Sequence, residues 1–139
     1  VMSRMPVLIA ETIFNGIFDR FPGLKFVGSE VGAGWVPYLL QEIDDRYRRN
    51  RHWCKVNLEM LPSEYYGRNW MVGFVRDQYG VRNCDDVGVE TMMWSSDFPH
   101  HINDWPNSRY LIDAMAQGID RSKKHKIFCE NAGKLYGFI

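Results

Sequence analysis

The sequence has 139 residues, 45% of them hydrophobic, which is enough for one ordinary domain with a buried core. Its 17 basic residues are balanced by 17 acidic ones, whereas proteins that bind nucleic acids or membrane surfaces usually carry a basic excess. We therefore expect no nucleic-acid partner and no membrane partner. Three cysteines without a C-x-x-C pair are typical of the reducing cytoplasm, where we expect the protein to be.

The first half of the chain is predicted to form a helix, a strand and a second helix. Apolar residues recur at helical spacing through "PVLIAETIFNGIFDRFPG", and Pro22 and Gly23 are predicted to end this helix. The short apolar segment "LKFVGSE", residues 24–30, predicts a strand. From Trp35, "WVPYLLQEIDDRYRRNRHW" returns to helical spacing, with Pro37 in the first turn, where proline is tolerated. The following "LPSEYY" is predicted to be a loop or a single helical turn.

The second half is predicted to continue the alternation of strands and helices. "NWMVGFV", residues 69–75, and "TMMWSS", residues 91–96, predict two further buried strands, separated by a short helix and loop. A helix in "WPNSRYLIDAMAQG" is predicted to end at Gly118, and a last helix is predicted from the Asp-Arg-Ser start signal at Asp120. Strands that alternate with helices predict parallel βαβ units and therefore an α/β fold. Three strands make a small sheet, because parallel sheets usually have more strands and helices on both faces.

Polar residues directly follow each of the three predicted strands. Because the active sites of parallel α/β proteins lie at the C-terminal ends of their strands, these residues are predicted to face a pocket. They are Ser29 and Glu30 after the first strand, Arg76 and Asp77 after the second, and Ser96, Asp97 and His100 after the third.

The sequence also leaves a structural explanation open for the most conspicuous of these residues. Asp97 precedes Phe-Pro, a setting that suits a turn or a cap. His100 and His101 are equally compatible with two solvated loop histidines. Asp97 and His100 supply two metal ligands at most, whereas a metal site needs about three or four. The sequence contains no H-x-H and no H-E-x-x-H motif that would complete the set.

Four segments carry a more specific signal: "GIFDRFPGLKFVGSEVGAGWVPYLLQEIDDRYRR", "LPSEYY", "MMWSSDFPHHINDWPNSR" and "KIFCENAGKLYGF". In this order they resemble the C-terminal half of the amidohydrolase-related family. This is the branch of the amidohydrolase superfamily that contains aminocarboxymuconate-semialdehyde decarboxylase and γ-resorcylate decarboxylase. The pattern W-x-S-D-[FY]-P-H followed by W-P-N-S is the most specific part of a resemblance that covers nearly the whole chain.

The resemblance implies a distorted (β/α)8 TIM barrel with a divalent metal at its C-terminal mouth, of which residues 1–139 would form about strands six to eight. We therefore expect one partial domain of a longer protein, since a full barrel needs about 250 residues. Family members take their metal ligands from an H-x-H or E-x-H motif on strand one, a histidine after strand five and an aspartate after strand eight. Only the last has a match here, so the resemblance implies that Asp97 is a metal ligand and a catalytic residue.

One departure from the family pattern concerns the segment after the sixth strand. Decarboxylase members carry a histidine there, in a G-H-x-G-E or A-H-G-G-G context, whereas this sequence has Ser29, Glu30 and Val31. Glu30 is predicted either to take a catalytic acid–base or substrate-orienting role, or to form a structural ion pair with an arginine. His100 is predicted to contact the substrate or to lie beside the metal ligands.

Aromatic residues near the predicted barrel mouth are candidates for a pocket that binds a ring-bearing substrate. Trp35 and Trp105 are predicted to bind substrate, and Trp94 and Phe98 lie in the same segments. The alternative for all four is ordinary packing within the barrel and its helices, because aromatic side chains are core residues first.

The resemblance implies a metal-dependent hydrolase or a non-oxidative decarboxylase that acts on a small carboxylate or amide, with an aromatic ring as one option. Zinc is the expected metal and manganese the alternative. Either would polarise a carbonyl or carboxylate and lower the pKa of bound water toward about 7. We expect a small-molecule substrate and a homodimer. The competing hypothesis is a catalytically incomplete chain, or a small α/β binding module, without activity of its own.

Overall fold

A parallel sheet of three strands forms the centre of the protein. The computed structural model describes residues 4–139, and within them the sheet consists of β1 (Phe26–Gly28), β2 (Trp70–Phe74) and β3 (Met92–Trp94), in that order. The strands pair in parallel at both steps. The predicted α/β fold with parallel strands is therefore confirmed, although each strand is shorter than the sequence pattern indicated.

The N-terminal helical segment consists of two helices, α1 (Met5–Phe14) and α2 (Ile17–Arg20). The prediction of one continuous helix is wrong at Gly16, which adopts a left-handed conformation with a φ of 65°. Glycine reaches this conformation without a steric penalty, so the chain turns there and begins a new helix. Ile9 and Ile13 of α1 are buried in the core, which explains the apolar spacing of this segment.

Helix α3 (Val36–Asn50) follows β1, and its buried residues recur at helical spacing as the sequence predicted. Pro37 occupies the first turn, where a missing N–H donor costs no intrahelical hydrogen bond. The carboxylate of Asp44 accepts hydrogen bonds from the backbone N–H and the hydroxyl of Ser63, both at 2.9 Å. This contact ties the helix to the predicted single turn, a 3-10 turn at Pro62–Tyr65.

Short helices connect β2 to β3, and a longer helical segment ends the chain. Between the strands lie α4 (Gln78–Arg82), α5 (Cys84–Val87) and a 3-10 turn (Val89–Thr91). After β3 follow α6 (Ser108–Met115) and then a continuous segment of α7 (Arg121–His125), a π-helical turn (Lys126–Glu130) and α8 (Asn131–Leu135). Asp120 caps α7, as its start signal predicted. Helix α6 ends short of the predicted Gly118, which adopts a left-handed φ of 82° beyond it.

Strand β2 is the centre of the core because it lies between the two other strands. Its residues Trp70, Val72 and Phe74 are fully buried. A strand buried on both faces needs a near-continuous apolar sequence, which is what residues 70–74 provide. Between residues 4 and 139, none of the helices combines the length and the hydropathy that crossing a bilayer requires.

Candidate active site

The loops that leave β1 and β3 converge at the C-terminal edge of the sheet. Glu30 lies two residues beyond β1, and Asp97 and His100 lie three and six residues beyond β3. One ligand atom from each of these three side chains lies within 4.8 Å of the others. The structure therefore brings together the two predicted catalytic residues and the predicted substrate contact His100, although they come from loops that are far apart in the sequence.

Asp97 and His100 form a turn that is also part of this cluster. The backbone N–H of His100 donates to the backbone oxygen of Asp97 at 2.8 Å. The side chains meet as well, with 2.7 Å between Nδ1 of His100 and Oδ2 of Asp97. The turn that the sequence left open for this segment is therefore present, and it holds the imidazole against the carboxylate.

The backbone at both carboxylate residues lies in the left-handed region. Glu30 has a φ of 57° and Asp97 a φ of 59°. Residues other than glycine rarely adopt this conformation, and glutamate does so less readily than aspartate or asparagine. Such residues persist only where the surrounding structure holds them, and they cluster at functional sites. At both residues the surrounding structure holds a backbone conformation that costs energy, and this conformation fixes the direction of the carboxylate side chain.

The two carboxyl groups shift each other's pKa in opposite directions. A hydrogen bond to Asp97 raises the pKa of Glu30, and partial desolvation and the negative charge of Asp97 add to this rise. The same hydrogen bond from Glu30 lowers the pKa of Asp97, and His100 lowers it further by its own hydrogen bond. Glu30 is therefore the weaker acid of the two carboxyl groups, and Asp97 the stronger.

A cleft of about 450 Å³ opens beside this cluster. Glu30, Asp97 and His101 form its polar side and Arg76 adds a positive charge. The remaining lining residues are mostly apolar: Gly32, Phe74, Val75, Ile102 and Asn103. Another cavity, of about 310 Å³ between Phe14 and Tyr47, has neither a carboxylate nor an imidazole in its lining. Of these two, the cleft at the sheet edge is the one lined by carboxylates and an imidazole.

Arg76 does not take part in the ion pair that the sequence left open for Glu30. Its Nε donates to Oδ1 of Asp104 at 2.5 Å, and the side chain of Asp104 is fully buried. Among the residues that the structure describes, no arginine forms a salt bridge with Glu30. The structural explanation for Glu30 is therefore wrong, because its neighbour is the carboxyl group of Asp97 rather than a guanidinium.

Asp77, the aspartate that follows β2, has a structural role. Its carboxylate accepts hydrogen bonds from the backbone N–H groups of Ala33 and Gly34, at 2.6 and 2.8 Å, and from that of Gly80 at 2.7 Å. These bonds cap helix α4 and attach it to the loop after β1. Asp77 is not among the residues that line the cleft, and its carboxylate binds three backbone donors instead.

The structure does not bring the predicted aromatic pair to the cleft. Trp35 stacks on Trp70, the first residue of β2, with ring centroids 6.2 Å apart, and its Nε1 donates to the backbone oxygen of Val31. Trp105 is exposed and packs against Phe98 at 5.4 Å. The packing interpretation therefore describes Trp35, which lies against the strand end opposite to the cleft.

Sequence reasoning assigned no role to several residues that line the cleft or support it. His101, Ile102, Asn103 and Asp104 follow His100 in the loop between β3 and α6. The signal that points to them is the length of that loop. Residues 95–107 lie between the strand and the helix, long enough to cover the strand end and return past it.

Glu30, Asp97 and His100 fit a divalent metal ion as part of a ligand set. Two carboxylates and an imidazole offer the oxygen and nitrogen ligands that zinc and manganese accept. Two carboxyl groups this close also repel each other when both are ionised, and a cation beside them relieves that repulsion. Further ligands would have to complete the set, because His100 already contacts Asp97 through Nδ1.

Comparison with known proteins gives a consistent result. Residues 8–138 match the model of a family described as Amidohydrolase. A 2-amino-3-carboxymuconate-6-semialdehyde decarboxylase of Dictyostelium discoideum is 26% identical over 118 residues, which are 84% of this chain and 32% of the relative. A gamma-resorcylate decarboxylase of Polaromonas sp. is 24% identical over 121 residues, 82% of this chain and 37% of the relative. The chain thus spans about a third of the length of the curated relatives it matches.

The fold of the chain is also found in larger solved structures. The 5-carboxyvanillate decarboxylase of Novosphingobium aromaticivorans, complexed with manganese and 4-hydroxy-3-methoxy-5-nitrobenzoic acid, superimposes with a TM-score of 0.76 at 23% identity. The match covers 95% of this chain and 38% of that one. The sheet and helices described above are therefore the fold of part of an amidohydrolase-type TIM barrel, as the resemblance implied.

Proposed function

Because this chain belongs to the amidohydrolase family, we propose that the protein is a metal-dependent carboxy-lyase that removes CO2 from a small aromatic carboxylate without a redox cofactor. The observation that carries the proposal is the cluster of Glu30, Asp97 and His100 at the C-terminal edge of the sheet. Two relatives that act as decarboxylases, on a carboxymuconate semialdehyde and on γ-resorcylate, support the reaction type.

Asp97 would hold the metal together with ligands from other parts of the protein, and Glu30 would lie beside it. When bound, the metal would supply positive charge that polarises the carboxylate or an adjacent oxygen of the substrate. The 5-carboxyvanillate decarboxylase was solved with bound manganese, which supports manganese as the metal of this protein. The carboxylate and imidazole side chains of the site support zinc equally well. We therefore propose a divalent ion, and reconstitution with each metal decides between manganese and zinc.

Glu30 would provide the proton that the reaction consumes. When the C–C bond to the carboxylate breaks, its electron pair stays on the ring carbon, CO2 leaves, and the ring carbon takes up one proton. A donor for this step has to be protonated before the bond breaks. Glu30 suits this step better than Asp97, because Asp97 raises the pKa of Glu30, whereas Glu30 and His100 lower the pKa of Asp97. His100 would hold Asp97 in place through its Nδ1 contact.

Hydrolysis of an amide is the second candidate function. One observation favours it: the segment after β1 has Ser29, Glu30 and Val31 and lacks the histidine that decarboxylase members carry there. A carboxylate at this point can serve as a general base toward water as well as a proton donor. The small-molecule substrate, the homodimer and the cytoplasmic location remain predictions under either function.

The test is turnover by the protein expressed with every residue that its reading frame encodes. Metal is removed with a chelator and replaced by manganese or zinc, and the protein is incubated with 2,6-dihydroxybenzoate, 5-carboxyvanillate and an anilide. We expect metal-dependent release of CO2 and formation of the decarboxylated ring compound.

Other outcomes separate the candidates. Release of an amine from the anilide, without release of CO2 from the carboxylates, would contradict the decarboxylase function and support the hydrolase function. Absence of turnover on all substrates with metal bound would contradict both and favour a binding module. As a control, Asp113→Asn changes an exposed aspartate that pairs with Lys124 outside the cleft and leaves turnover unchanged.

A further inference from the structure

Among the residues that the structure describes, the cleft is lined by one arginine, Arg76, which has no part in the reaction proposed above. Arg76 follows β2 and lines the cleft together with Glu30 and Asp97. Its side chain is 62% exposed, while that of its partner Asp104 is 0% exposed. The pair therefore has a buried end, at the carboxylate, and an open end, at the guanidinium.

The hydrogen bond within the pair occupies only one donor of the arginine. Nε donates to Oδ1 of Asp104 at 2.5 Å. A guanidinium has five N–H donors in a fixed planar fork, and within residues 4–139 the structure gives Arg76 this one side-chain hydrogen bond. The four N–H groups of Nη1 and Nη2 remain available to a ligand on the exposed side.

Asp104 is itself held firmly. Its backbone N–H donates to the backbone oxygen of Ser96 at 3.1 Å, and its backbone oxygen accepts from the N–H of Asn107 at 2.8 Å. Its second carboxylate oxygen, Oδ2, is buried and has no hydrogen-bond partner among the described residues. A buried carboxylate with one partner depends on that partner, so Asp104 keeps Nε of Arg76 in place.

The charges of the cleft define what its remaining donors can bind. Glu30 and Asp97 repel an anion, and Arg76 is the one arginine or lysine among the described residues that line the cleft. Guanidinium groups bind carboxylates through two parallel N–H···O bonds, which adds strength and orientation. Phe74, Val75 and Ile102 provide apolar surface beside it, which suits the body of a flat ring.

We propose that Arg76 binds the carboxylate of the substrate and that Asp104 positions the guanidinium for it. The inference rests on the proposed function in one respect, namely that the substrate is a carboxylate. It assigns Arg76 as the residue that selects an anion over its neutral counterpart, and Asp104 as a positioning residue that acts through Arg76. A purely structural cross-link between the loops after β2 and β3 would produce no such selectivity.

The test uses the full-length protein and two probes of equal shape, benzoate and the uncharged benzamide, with affinities measured by titration calorimetry. Arg76→Lys keeps the charge and a contact to Asp104 but loses the fork. Hydrogen bonds between charged groups contribute strongly to binding affinity, so we expect benzoate to bind this variant about tenfold more weakly than the wild type. Benzamide binding stays within about twofold, because a neutral amide does not need the ion pair.

Asp104→Asn leaves the arginine in place but weakens its support. We expect a smaller loss of benzoate affinity, about fivefold, with benzamide again unaffected. The matched control is Arg49→Lys, because Arg49 makes the same Nε-to-carboxylate contact with Asp45 at 2.9 Å on the exposed face of α3. This control leaves the affinities for both probes unchanged.

Each outcome decides the inference separately from the proposed function. Unchanged benzoate affinity in Arg76→Lys, or an equal loss for both probes, overturns the inference even if the protein releases CO2. If Arg76→Lys does not fold, Asp104→Asn decides, and unchanged benzoate affinity in that variant also overturns it. Selective loss of benzoate in a protein that decarboxylates no substrate would leave the anion site standing and remove the proposed reaction.

Discussion

Asp77 and Asp97 each lie three residues beyond the end of a buried strand, yet their surroundings differ completely. Asp77 follows β2 and accepts three backbone N–H groups, two from the loop after β1 and one from α4. Asp97 follows β3 and has Glu30 and His100 as its neighbours. The same residue type at the same offset is therefore part of the scaffold in one loop and part of the candidate active site in the other.

The difference arises from the segment that comes after each aspartate. Helix α4 begins immediately after Asp77, and the first N–H groups of a helix need acceptors outside the helix. After Asp97 the chain continues through a loop, and the next helix, α6, begins only at Ser108. With no helix start beside it, the carboxylate of Asp97 is left available for a metal ion or a proton.

The largest effect that would sharpen this comparison is expected from Asp97→Asn. The amide keeps the shape of the side chain but loses the charge that would hold a metal. We expect kcat to fall by about 10² or more, with metal content reduced and the fold retained. Metal analysis and turnover are measured on the same preparation, with Asp113→Asn as the matched exposed aspartate. Near-normal turnover with metal still bound would remove Asp97 from the site.

The converse effect is expected from Asp77→Ala, which removes a scaffold carboxylate. Three backbone N–H groups lose their acceptor, and we expect the free energy of unfolding to fall by about 2–4 kcal/mol. Urea unfolding measures it, and the folded fraction retains its metal content.

Asp45→Ala is the control for this stability prediction. It removes an aspartate whose partner, Arg49, lies on the exposed face of α3. Such surface pairs contribute less than about 1 kcal/mol. A similarly small loss in Asp77→Ala would show that the three hydrogen bonds add little net stability and would end the distinction from Asp97.

The smallest effect is expected at Asp120, which caps helix α7 on the exposed surface. Hydrogen bonds from Ser122, and then from the backbone of Lys123, lower the pKa of Asp120. A carboxyl group with a lowered pKa stabilises the fold above its ordinary pKa, and this contribution is lost as the pH falls through the lowered value. The wild type should therefore lose a small part of its stability as the pH falls through this range, which acid unfolding followed by circular dichroism measures.

Asp120→Asn tests this pH dependence because asparagine also caps helices but does not titrate. We expect the stability of this variant to vary slightly less than that of the wild type between about pH 5 and pH 2. An equal slope for both proteins would show that the cap of α7 does not contribute to acid unfolding.

Several elements could be predicted from the sequence because local rules govern them. The three strands follow from short apolar runs, α3 from its spacing and Pro37, and the start of α7 from Asp120. The break at Gly16 was missed because the apolar spacing continues across it. Periodicity reports which residues face the core, and it does not report that a glycine between them has turned the chain.

The candidate site likewise has features that the sequence predicts and features that only the tertiary structure reveals. The family, the parallel α/β fold and the position of Asp97 could all be inferred from the amino-acid order, because a specific motif and the ends of buried strands are local properties. Three-dimensional packing was needed to establish that Glu30 meets Asp97 rather than an arginine, that Arg76 pairs with Asp104, and that Trp35 stacks on Trp70. These are contacts between residues distant in the sequence, and the packing of loops and side chains selects one partner among several of equal chemical suitability.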